Sequence, residues 1–251
     1  YRAIAGPLIE HVTRLGFTHV ELLPITEHPF DGSWGYQTTG YFAPTSRFGR
    51  PEDLMYLVDQ LHRAGIGVIL DWAVAHFADD PHGLGRFDGA PLYEYTDEVR
   101  ARHPEWGSLV FNFDRPEVRS FVVSSACSWL DRYHLDGLRV DAVTSMLHRD
   151  FSMDGTSWLS TAEGGREDHA ATRLLRDLNT AVHARFPGAQ THAEEASDWP
   201  LVTHPVSEGG LGFDLKWDAG WVNDTLTYLR REPADRPAHH GELTFRALYA
   251  A

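Results

Sequence analysis

Helical segments with one apolar face alternate with short apolar strands along this chain, and that alternation leaves few folds open. Ile4, Leu8, Val12 and Leu15 recur at helical spacing, and Gly16 follows as a stop. Residues 18–25 then read as an apolar run with strand character. Pro51 opens a second helix with Leu54, Leu57, Val58 and Leu61 on one face, Gly65 closes it, and 67–71 reads as a buried strand. Pro116 starts a helix carrying Val118, Phe121, Val122, Ala126, Trp129 and Leu130, before a strand at 135–141. Leu174, Leu175, Leu178, Val182 and Phe186 mark another helix, ended by Pro187-Gly188 and followed by a strand at 189–193. A weaker strand at 212–217 leads into a helix at 221–231. Such alternation builds a parallel sheet with crossover helices, so we expect an α/β fold with five strands in one domain, residues 1–251.

Long loops at 26–50, 72–115 and 142–166 all follow strands. That is the side on which barrels and open α/β sheets carry their active sites. Asp71 ends one strand, Arg139 and Asp141 the next, Glu194 and Glu195 the one after. One such acid is readily a helix cap. Three successive strands delivering carboxylates to one edge point to chemistry, because a buried carboxylate must be paired or functional. Arg139 and Asp141 are two apart and share a strand face, where the arginine is expected to keep the aspartate ionised. Glu194 is the inward member of its pair, and Glu195 points to the other side. A nucleophile at Asp141 and a general acid at Glu194, the latter with a raised pKa, is the arrangement of retaining glycosidases. Asp71 and His76 form Asp-x-x-x-x-His just beyond a strand, a weak signal alone. Trp34, Tyr36, Tyr41, Phe42, Trp72 and Phe77 crowd the same loops, suited either to sugar faces or to ordinary loop packing.

Other chemistries lack their signatures. There is no His-Glu-x-x-His, no cysteine pair and no glycine-rich phosphate loop, so neither a metal nor a nucleotide cofactor is expected. With 22 basic and 36 acidic residues the formal charge is −14, which disfavours nucleic acid and anionic membranes. The single cysteine, Cys127, falls mid-helix and suits a reducing, cytoplasmic setting. No apolar run approaches the roughly 18 residues of a membrane helix. Position 1 is not Met, and 242–251 reads as a helix without a stop signal, so we expect a piece of a longer protein.

Five stretches carry a resemblance: 21–37, Tyr41 to Gly49, Asp136-Gly-Leu-Arg-Val-Asp-Ala-Val143, Ala193-Glu-Glu195, and Glu208 to Asp214 with Lys216-Trp217. Together they resemble the α-amylase superfamily, and within it the bacterial-type 1,4-α-glucan (glycogen) branching enzymes, over essentially the whole chain. The resemblance implies a (β/α)8 barrel, present as about its second to sixth strands. The family's N-terminal β-sandwich module and C-terminal β-domain are then missing from these residues. It further implies that Asp141 is the nucleophile, Glu194 the acid/base and Arg139 the residue that orients the nucleophile. Asp71 and His76 match the first amylase signature region, Tyr36 matches the ring that stacks on the reacting sugar, and Trp34 and Trp72 are expected beside them.

The partner implied is an α-glucan. The activity implied is cleavage of α-1,4 bonds with transfer to a 6-hydroxyl. An α-glucan hydrolase and an inactive fragment are the alternatives. Two departures stand out. Ala73-Val74-Ala75 replaces the family's Val-Pro-Gly before the histidine. The third carboxylate, in a His-Asp pair on the seventh strand, would lie beyond Ala251. A five-stranded partial barrel keeps open edges, so the isolated chain is expected to be inactive and prone to aggregate.

Overall fold

The computed structural model describes residues 1–151 and 165–244. Among them five parallel strands form one sheet: β1 (His19–Leu22), β4 (Gly67–Trp72), β7 (Gly137–Val140), β8 (Gln190–Ala193) and β9 (Leu215–Lys216), adjacent in chain order. Two antiparallel pairs lie in the loops: β2 (Thr26–Glu27) with β3 (Gly40–Pro44), and β5 (His76–Phe77) with β6 (Leu109–Val110). The helices are α1 (Arg2–Leu15), α2 (Pro51–Arg63), α3 (Glu98–Ala101), α4 (Pro116–Tyr133), α5 (Val143–Leu147), α6 (His169–Arg185) and α7 (Ala219–Arg230). The succession of neighbouring parallel strands joined by helices is an arc of a (β/α)8 barrel. The C-terminal run read as helix is helical at Gly241–Thr244, and 245–251 lie outside the described residues, as do 152–164 of the third long loop.

Period-2 alternation divides the sheet cleanly. Val68, Leu70, Trp72, Leu138, Val140 and Ala193 join the core against the helices, while Ile69, Asp71, Arg139 and His192 take the other face. From the helix side, α2 buries Leu54, Leu57, Val58 and Leu61, each worth about 1.5–3 kcal/mol if fully transferred from water. Its start is fixed by Pro51 and by a reciprocal cap in which Arg50 N–H donates to Asp53 at 2.9 Å. In α1, Gly16 closes the helix in the left-handed region as its sequence suggested. Its apolar stripe is covered only in part: Val12 is buried, whereas Ile4 is 50% and Leu15 54% exposed.

Two strands are shorter than their apolar runs. Residues 23–25 leave the sheet after Leu22, and Pro24 has no N–H for a ladder. At 212–217 only Leu215–Lys216 pair, because Gly212 adopts φ 84° and turns the chain before them.

One arrangement recurs at the N-terminal ends of the strands. Asp136 N–H donates to Val68 O at 2.8 Å, while the Asp136 carboxylate accepts from Val68 N–H at 2.7 Å and meets His62 Nε2 at 2.7 Å. Asp214 repeats this with Thr191 O at 2.9 Å, Thr191 N–H at 2.7 Å and His183 Nε2 at 2.9 Å. Each time an aspartate before one strand latches the previous strand and the helix leading into it.

Candidate active site

At the opposite strand ends, one guanidinium gathers three carboxylates. Arg139 Nη1 donates to Asp71 Oδ1 at 2.6 Å and to Asp141 Oδ1 at 2.7 Å, and its Nη2 lies 3.0 Å from Glu194 Oε1. The register builds this contact. Asp71 and Arg139 are direct partners across β4 and β7, and Asp141 and Glu194 follow the last residues of β7 and β8. The remaining Glu194 oxygen accepts from Ala142 N–H at 2.8 Å. Ala142 adopts φ 53°, a left-handed conformation costly for a residue with a Cβ. Strain therefore sits immediately after Asp141, where the chain breaks from strand into α5.

Tyr36 completes the cluster by donating its hydroxyl to Asp71 Oδ2 at 2.5 Å. Its approach depends on Gly35, at φ 94°, where an added Cβ would lie 2.1 Å from Pro24 O. Burial first, then the hydrogen bond to the Asp71 carboxylate, pushes the Tyr36 phenol well above its usual range.

The electrostatics correct one expectation. Burial pushes the Asp141 carboxyl up to about 7; Arg139 pulls it down, but Glu194 and Asp71 add to the rise. Arg139 does not keep Asp141 in the ordinary carboxylate range, because burial outweighs its pull and its one charge is shared among three acids. Asp71 is also raised by burial, against the opposing pull of Tyr36 and Arg139.

His76 is buried beside Trp106, with ring centroids 4.8 Å apart, and Trp106 stacks on His103 at 3.7 Å. Burial lowers the His76 imidazole to about 3, so it is neutral, and its Nδ1 has no hydrogen-bond partner. Ala73, Val74 and Ala75 are buried and none has a positive φ, so this backbone needs no glycine there.

Two expected ligand contacts fall elsewhere. Trp72 is fully buried on the helix-facing side of β4, opposite Asp71, since neighbouring strand residues point to opposite faces. Trp34 is 70% exposed and lines an apolar cavity of about 740 Å³ with Ile4, Leu23 and Phe48, which Asp71, Asp141 and Glu194 do not line.

Sequence reasoning gave three groups no role in the site. Glu195 is completely buried, with its carboxylate bound by Thr144, by Ser197 and by Lys216 Nζ at 3.1 Å. Trp217 lies over the Arg139 guanidinium at 4.4 Å. The His103–Trp106 stack had no signal beyond aromatic content. Lys216-Trp217, by contrast, stood in one of the resembling stretches. Among the described residues no group of three or more His, Cys, Asp or Glu side chains is arranged to hold a metal ion.

Comparison with known proteins agrees with this architecture. The family model for the alpha-amylase catalytic domain matches residues 8–87. A 1,4-alpha-glucan branching enzyme of Marinobacter nauticus is 56% identical over 250 residues, covering all of this chain and 40% of that protein. The corresponding enzyme of Rhodopirellula baltica is 54% identical over 250 residues, covering all of this chain and 34% of that protein. The chain thus spans between a third and two fifths of the length of these curated relatives. Among solved structures, an amylase-type protein from Salmonella typhimurium superposes with TM-score 0.73 at 24% identity, over 98% of this chain and 39% of that one. The α-amylase of Geobacillus thermoleovorans gives 0.63 at 21% identity, over 87% of this chain and 45% of that one. The likeness in fold and the identity along the whole chain point the same way: over 250 residues this chain is similar to a stretch of the bacterial-type 1,4-α-glucan branching enzymes, and residues 8–87 match the alpha-amylase catalytic domain.

Proposed function

We propose that this chain carries the bond-cleaving centre of a 1,4-α-glucan branching enzyme acting by retaining double displacement. The observation that carries this reading is the pair Asp141 and Glu194, on adjacent strand ends and bridged by the Arg139 guanidinium. In the first step Glu194 gives its proton to the glycosidic oxygen as the C1–O4 bond breaks, and an Asp141 oxygen bonds to C1. In the second, the 6-hydroxyl of another glucan attacks C1, Glu194 takes its proton, and the Asp141 ester is released. Two inversions restore the α configuration. Relative accessibility supports the division of labour: the Glu194 side chain is 37% exposed and the Asp141 side chain 12%. The more open group reaches the departing oxygen, while the enclosed one meets the anomeric carbon.

Tyr36, Asp71 and His76 serve the reacting sugar in this reading. Tyr36 and Asp71 shape its pocket from one side, and neutral His76 offers a hydrogen bond without adding charge. An electrically neutral glucan suits a chain of formal charge −14. A cytoplasmic setting goes with it: Cys127 is a buried free thiol, and no described helix is long and apolar enough to cross a membrane. We treat residues 1–251 as part of one catalytic barrel domain. Because β1 and β9 each have a single neighbour in the sheet among the described residues, we expect the isolated chain to be inactive.

The test grafts this chain in place of the matching segment of the Marinobacter nauticus relative. New α-1,6 linkages, formed without a matching release of reducing ends, support branching. Reducing-end release without new linkages supports the alternative, an α-glucan hydrolase. A folded graft with neither activity overturns both.

A further inference from the structure

The Arg139 guanidinium is held unevenly. Its Nη atoms contact three carboxylates, Nη1 serving Asp71 and Asp141 and Nη2 serving Glu194. Its Nε is buried without a hydrogen-bond partner. The N–H groups of a planar guanidinium donate within its plane, so they resist sliding and leave tilting out of the plane opposed only weakly. A planar cation in that state needs something on its face.

Trp217 supplies it. The Arg139 Cζ lies 4.4 Å from the Trp217 ring centroid, within cation–π range. The backbone that carries the ring is fixed, because the Trp217 main-chain N–H donates to Ala193 O at 2.9 Å, one residue before Glu194. Its neighbour Lys216 reaches Glu195 and the Ser197 carbonyl, each at 3.1 Å, so the backbone beneath the ring is tied to the loop after β8. Trp217 is 43% exposed, while the arginine side chain beneath it is nearly sealed from water. From this geometry we infer that Trp217 is a positioning residue, holding the Arg139 guanidinium in the plane where it reaches Asp71, Asp141 and Glu194 together.

The inference rests on the proposed reading of the cluster but concerns how the cluster is kept in shape. A stacked ring does this better than an aliphatic cover, because its negative face attracts the cation and desolvation strengthens that attraction. A substrate platform would behave differently, since loss of a sugar-binding face raises KM and leaves kcat alone.

The experiment compares W217F, W217L and W217A in the graft, with a parallel nuclear magnetic resonance measurement on the same graft. W217A is expected to lower kcat about 10- to 30-fold with KM within about twofold. W217F should recover most of this loss, and W217L, which fills space without a π face, should not. In the isotope-labelled graft the Arg139 Nε–Hε resonance should carry a ring-current shift that W217F keeps and W217L abolishes. Equal kcat in W217F and W217L, a change confined to KM, or an Arg139 resonance indifferent to W217L would overturn the proposal. An inactive wild-type graft would instead overturn the functional reading, and the resonance comparison would still decide the stacking. Should W217A fail to fold, the Phe and Leu variants carry the decision.

Discussion

Asp71 and Arg139 are direct partners across the parallel β4–β7 ladder, and the arginine Nη1 donates to Asp71 Oδ1 at 2.6 Å. The same nitrogen also serves Asp141, so one buried cation answers to acids from three strand ends. Its charge is oversubscribed, and burial raises the Asp71 and Asp141 carboxyls against its pull.

Asp141 is where this is most visible. With its carboxyl raised by burial to about 7, the folded state prefers the protonated form. The sign follows: the stabilising contribution is complete below the unfolded aspartate value and is lost as pH rises through about 7. D141N should therefore abolish turnover, yet stabilise the chain at pH 8 by on the order of 1–2 kcal/mol and leave it unchanged at pH 4. Thermal melts at the two pH values check this. In the active graft, kcat/KM should climb with pH toward about 7 as the nucleophile ionises. A flat acid limb would contradict the assignment.

Trp72 separates packing from ligand contact. W72A should cost about 3–5 kcal/mol in urea unfolding, as expected when a buried aromatic is removed. W72F should recover much of that loss, with glucan affinity unchanged. Weakened glucan binding in a fully folded W72F protein would restore the ligand role that burial denies it.

Gly35 is the hinge that brings Tyr36 to Asp71. G35A should cost more than about 1 kcal/mol, since the new Cβ meets a backbone carbonyl at 2.1 Å and φ stays positive. The Tyr36–Asp71 bond should go with it. Y36F removes the same hydroxyl without the strain, so matching pH profiles for the two variants would tie the glycine to the phenol.

The aspartate latches offer a paired measurement. D136A and D214A should each destabilise by about 1–3 kcal/mol, because each leaves a strand N–H unsatisfied. The two sites share no partner, so the double variant should come close to the sum. Chemical denaturation reads both.

Periodicity made the alternating architecture legible, and the acids at the strand ends came with it. Arg139 and Asp141 share a face because they are two apart. Trp72 was misplaced for the same physical reason, since being next to Asp71 in sequence means facing away from it in a strand. The strand expected at 212–217 pairs only at Leu215–Lys216, because Gly212 has a positive φ that no apolar count registers. Lys216 meets Glu195 across adjacent strand ends, and Trp217 meets Arg139 from two strands away. Only the completed fold brings them together.

The latches also measure something about the chain. His62 and Asp136 are 74 positions apart, His183 and Asp214 only 31, yet both close the same contact. The surplus in the first interval includes the long loop on the opposite rim. The lower rim thus works as a ruler that resets strand registration after each excursion. A chain built this way can lengthen or shorten its upper loops, and so change what its cleft admits, without renegotiating the spacing of its strands.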